Sequence, residues 1–105
     1  MSYRKEKLYL AVSKLATGTG TLRERFEEAY VVALANLCSE DFPEEELQQQ
    51  LVALQASLST VLPIAERAGA LSFAMDALSE ERLQELAEQV LWLFQQTIQI
   101  EESTR

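Results

Sequence analysis

The stretch KLATGTGTLRERFEEAY, Lys14 to Tyr30, decides how the rest of the chain is read. It holds two of the three glycines, in a Thr-Gly-Thr-Gly-Thr run followed by a helix-like segment. Such a run either cradles a phosphate or turns the chain between two helices. A phosphate loop needs a strand before it and a Lys-Ser/Thr pair at the start of the next helix. Here a helical pattern precedes the run, and no such pair follows. A turn accounts for each residue. Gly18 suits the position just past a helix end, where the left-handed conformation favours glycine. Gly20 frees the chain to turn. Thr21-Leu22-Arg23-Glu24 is a capping box, with the Thr21 hydroxyl on the Glu24 amide and the Glu24 carboxylate reaching back. Helix-start amides beside Arg23 and Arg25 make anion binding at Gly18–Thr21 a subsidiary expectation.

Upstream of the turn, Leu8, Val12 and Leu15 recur at helical spacing, with Ala11 and Ala16 alongside and Tyr9 on the flank. They predict a first helix over about 3–16. Downstream, Leu22, Phe26, Ala29, Ala33 and Leu37 make one stripe, widened by Tyr30 and Leu34, for a helix of about 22–37. The run from Tyr30 to Ala35 is apolar on every side. A helix of that kind is either central in its domain or covered by another chain.

Pro43 fits a first helical turn, and Glu44, Glu45 and Glu46 suit its positive end. Leu47, Leu51, Leu54 and Leu58 extend this helix over about 43–59, with a glutamine-rich outer face. Pro63 and Gly69 disturb the next segment, where one or two short helices are expected within 63–78. Ser79 caps a last helix of about 80–100, whose stripe is Leu83, Leu86, Ala87, Val90, Phe94 and Ile98. The run Val90–Phe94 again wraps the whole circumference, and Glu101 to Arg105 are expected to fray. Nothing alternates with period two, and no hairpin signal occurs. The expected fold is all-α: one domain over 1–105, an antiparallel four-helix bundle with one or two additional short helices.

Composition narrows the chemistry. The chain has 105 residues, 48% of them hydrophobic, which suits one packed core. Its apolar runs are far too short for a membrane span, and the N-terminal residues do not read as a signal peptide, so a cytoplasmic protein with no membrane partner is expected. Cys38 is the one cysteine and there is no histidine, which removes cysteine-based metal sites and the usual base for a thiol or serine nucleophile. Cys38 is expected to fill apolar space. The net charge is −8 and uneven: residues 1–25 carry six basic and two acidic residues, and the remainder three and fifteen. A surface so acidic beyond its first helix disfavours nucleic acid as a partner.

The carboxylates offer one enzymatic alternative. Glu81, Glu85 and Glu88 share a helix face, and Glu24 spaces with Glu27 and Glu28. All-α nucleotide pyrophosphohydrolases pair Glu-x-x-Glu with a downstream Glu-x-x-Asp. The chain has Glu24-x-x-Glu27 and Glu85-x-x-Glu88 but no Glu-x-x-Asp. The alternative is therefore a magnesium-dependent phosphate- or nucleotide-processing enzyme built on Glu24, Glu27, Glu28 and the Thr19–Thr21 turn. A further alternative is an acidic regulator of a basic or DNA-binding protein.

The order EKLYLAVSKLATGTGTLRERFEEAYVVAL, then EDFPEE, then LSEERLQELAEQVLWLF resembles small bacterial helical proteins of unassigned function. The resemblance implies a bacterial, cytoplasmic origin and no site residues.

The leading expectation is a non-enzymatic interaction protein that works through an apolar helix surface and self-associates as a homodimer, or binds another protein. Tyr30, Leu91 and Trp92 are the candidate interface residues, because their neighbours already supply a core stripe. No catalytic, cofactor-binding or metal-ligating residues are assigned.

Overall fold

The computed structural model of the protein describes residues 2–58 and 77–103. The short helices expected within 63–78 fall almost wholly outside these. Among the described residues the structure is all-helical, with no strand. Four helices pack together: α1 (Tyr3–Thr17), α2 (Leu22–Val32), α3 (Glu45–Leu58) and α4 (Glu80–Ser103). Two short 3-10 turns, Leu34–Asn36 and Ser39–Asp41, lie between α2 and α3.

Each start has a local chemical cause. The Ser2 hydroxyl accepts from the Lys5 N–H at 3.2 Å and caps α1. At α2 the Thr21 hydroxyl accepts from the Glu24 N–H at 3.2 Å, and the Thr21 N–H donates to the Glu24 carboxylate at 3.4 Å. This is the expected capping box. Ser79 caps α4 through the Arg82 N–H at 3.0 Å. Glu44 rather than Pro43 flanks the start of α3, its carbonyl accepting from the Gln48 N–H at 2.9 Å, so Pro43 falls outside the first turn.

The turn between α1 and α2 departs from expectation at Gly18. Its backbone is extended, with φ −66° and ψ 163°. Glycine is needed there for room: a Cβ would sit 2.5 Å from the Lys14 carbonyl oxygen, to which the Gly18 N–H donates. The left-handed residue is Gly20, at φ 92°.

Helix α2 ends at Val32, short of the expected residue 37. Adjacent β-branched Val31 and Val32 weaken the helix, and donors elsewhere take the carbonyls it releases. Asn36 donates to the Val32 carbonyl, Gln55 to those of Leu34 and Leu37, and the Tyr3 hydroxyl to that of Asn36. Helix α4 instead runs past the expected residue 100 to Ser103, because Glu101 is held rather than frayed.

Helices α1, α2 and α4 pack against one another, and α3 packs on α4 and the second 3-10 turn. Leu8 and Ala11 of α1, Phe26 and Ala29 of α2, and Leu86 and Val90 of α4 are fully buried. Leu51 and Leu54 bring α3 into the same core. Each such leucine contributes about 1.5–3 kcal/mol of burial before the cost of ordering the chain. Phe42, between the second 3-10 turn and α3, is fully buried too.

Candidate functional site

The three candidate interface residues occupy three different settings. Leu91 is 44% exposed. Trp92 is half-buried, packed against the core, and lines a groove between α3 and α4. Tyr30 is half-buried on α2 and packs against the core. Consecutive helical residues point about 100° apart, which separates Leu91 from Trp92.

Leu91 has apolar company in Tyr9, expected on a flank, and Phe94, expected in the core stripe but only half-buried. Phe94 follows it by three residues and so lies beside it on the helix surface. The Phe94 ring meets that of Tyr9 on α1, with centroids 6.1 Å apart and planes tilted by 57°. Tyr9 is itself 56% exposed. An apolar strip thus crosses from α1 to α4 through Tyr9, Phe94 and Leu91. Pattern alone could not join them, because the pairing of α1 with α4 is a long-range contact.

The groove beside Trp92 encloses about 460 Å³ and is lined by Gln50 of α3 and by Glu85, Glu88, Gln89 and Trp92 of α4. The four α4 residues follow an i, i+3, i+4, i+7 spacing and form one stripe. Glu85 accepts from Arg82 at 3.1 Å on an exposed part of the surface. Glu81, expected on the same face, is exposed outside this lining.

Two of the carboxylates near the first turn are engaged locally. Glu24 closes the capping box, and Glu28 pairs with Lys14 at 3.2 Å. Arg25 donates to the Leu15 carbonyl at 2.6 Å, tying the turn back to α1. Among the described residues no three acidic or cysteine side chains gather as a metal-binding group. Cys38 is exposed rather than buried, since it lies in extended backbone between the two 3-10 turns, its N–H donating to Asp41 at 2.8 Å.

A second polar cluster lies where α1 starts, α3 starts and α4 ends. The Arg4 side chain is 11% exposed and pairs with both Glu44 and Glu101, reaching Glu101 at 2.8 Å. Its guanidinium also lies 5.4 Å from the centroid of the Phe42 ring. Ser2 donates to Glu101 at 2.7 Å. The hydrogen bond from Arg4 holds the Glu44 carboxyl below its ordinary range, against the opposing effect of burial. Burial pushes the Glu101 carboxyl up, but the bonds from Ser2 and Arg4 outweigh it and leave it lowered. The pairing with Glu44 raises the Arg4 guanidinium, against burial. Three elements are pinned by one side chain, which is a structural task.

No family profile matches the chain, and neither does any curated protein or any solved structure. No helix among the described residues is long and apolar enough to cross a membrane.

Proposed function

We propose that this chain is a non-enzymatic interaction protein that self-associates through an apolar helix surface, forming a homodimer. The observation that carries the reading is the strip of Tyr9, Phe94 and Leu91, in which Tyr9 is 56% and Leu91 44% exposed. Apolar surface that no described element of its own chain covers is stabilised by burial against another chain. A two-fold pairing places the same strip on both copies, so each new contact is made twice. Tyr30 and Trp92, being half-buried, serve at the margin of such a contact rather than at its centre.

The helices are inferred to alternate in direction, as in an antiparallel bundle. The four-residue link between α1 and α2 supports this. So do two shared ends: Arg4 joins the start of α1 to the start of α3 and the end of α4, and Arg82 at the start of α4 donates to Ser57 near Leu58. The cytoplasm is the proposed compartment, since an exposed single thiol at Cys38 suits reducing surroundings.

Sedimentation across a hundredfold range of concentration tests the proposal. The mass is expected to rise from monomer to dimer, and Leu91→Glu with Tyr9→Ser is expected to hold it at monomer with the helical spectrum unchanged. A protein that stays monomeric throughout, or a double variant that dimerises as before, overturns it.

A further inference from the structure

We infer that the α3–α4 groove beside Trp92 is a docking site for a lysine- or arginine-bearing segment of another protein. Its lining combines an aromatic residue with carboxylates. Trp92 offers the indole, the ring that attracts cations best. Glu85 and Glu88 are the two carboxylates in the lining, and both are exposed. Gln89 has its side-chain oxygen buried, with no hydrogen-bond donor among the described residues. A groove lined by an indole and two carboxylates is complemented by a group with positive charge and several N–H bonds. Ammonium and guanidinium side chains are such groups.

Charge also argues that the occupant comes from a different protein. The chain carries −8 overall and is acidic outside its first 25 residues. Among the described residues the basic side chains are largely engaged at home: Arg4 with Glu44 and Glu101, Lys14 with Glu28, Arg25 with the Leu15 carbonyl, and Lys7 over the Tyr3 ring. Arg82 is the nearby resident cation, and its pair with Glu85 is exposed, so an incoming cation competes with a weak contact. The groove shares Trp92 with the margin of the proposed dimer contact but none of Tyr9, Phe94 and Leu91, and the inference does not rest on self-association.

Trp92 is the sole tryptophan, so its fluorescence reports on this groove when read at a protein concentration held constant throughout the titration. The probe is a hexa-arginine amide peptide, titrated into the full chain at low and at high salt, with calorimetry in parallel. A saturable change in emission is expected, weakened about tenfold by half-molar salt as charge-led binding is screened. Glu85→Gln with Glu88→Gln is expected to weaken it by a further factor of about ten. Glu80→Gln with Glu81→Gln removes the same charge outside the groove and should leave affinity within about twofold. Equal losses in both double variants would reduce the effect to net charge and overturn the site, as would no saturable response by either method. Concentration-dependent association of the free protein that the Glu85/Glu88 variant abolishes would make the occupant a second copy, and would overturn it too.

Discussion

The two connections on either side of α2 are built in opposite ways. Between α1 and α2, four residues suffice, and nearly everything that shapes them is local: Gly18 beside the Lys14 carbonyl, Gly20 at positive φ, Thr21 against Glu24. Between α2 and α3 the chain winds through two 3-10 turns, and beside the local Asn36 and Asp41 bonds several groups that hold it lie far away in sequence. Gln55 takes the Leu34 and Leu37 carbonyls from 21 and 18 residues off, and Tyr3 takes that of Asn36 from 33. Gln48 donates to the Ser39 carbonyl at 3.0 Å. A short turn can be specified by its own residues, whereas a long irregular one borrows its order from the helices it crosses. The first should persist when the core is weakened, and the second should not.

Phe42→Ala tests this contrast hardest. It removes a fully buried ring from the second connection, and a loss of about 3–5 kcal/mol in denaturant unfolding is expected. A loss below about 1 kcal/mol would mean that the connection contributes little to the core.

Arg4→Met comes next, with an expected cost of about 1–3 kcal/mol, because it unpairs Glu44 at the end of this connection and Glu101 on α4. Both carboxyls titrate below their ordinary range in the folded chain. The stability they contribute is therefore full above the unfolded value of about 4.3 and is lost as pH falls through the folded values. The gap between wild type and variant should be constant near neutrality and should close in acid. A gap that widens in acid would contradict the assignment.

Gln55→Ala takes the side-chain donor from the Leu37 carbonyl and one of two donors from the Leu34 carbonyl, which keeps the Leu37 N–H, and should cost about 1–2 kcal/mol. Amide exchange would sharpen the reading: protection should fall at Asn36 and Leu37, and stay unchanged at Arg25, whose N–H is bonded within the first turn. Thr21→Ala should have the smallest effect, about 1 kcal/mol, with the exchange pattern reversed. If both variants loosened both connections alike, the distinction between local and borrowed order would fail.

The same contrast explains what could be read from the chain without coordinates. The Thr21 capping box, the Ser79 cap and the leucine stripe of α3 were legible because each depends on spacing within one helix. The early end of α2 was not. Ala33 to Leu37 carry a good helical stripe, and only donors on α3 and α1 make departure from the helix affordable. Gln48 and Gln55 read as part of a solvent-facing glutamine surface, yet both reach backbone carbonyls of the connection. Gly18 was legible as a breaker but not for its cause, since a close approach leaves no trace in composition. At the surface, an excess of apolar residues in α4 was visible, but its division was not. Tyr9 meets Phe94 across 85 positions of sequence, and Trp92 faces Gln50 of another helix.

The 2.7 Å contact between Ser2 and Glu101 has a topological consequence. The beginning of the first helix and the end of the last lie at one spot, so a few flexible residues are enough to splice them. The exposed Thr19–Gly20 bond then becomes a natural place to open the ring. Such a circular permutant would present the same helices in the order α2, α3, α4, α1, and the arrangement in space need not follow the order of synthesis.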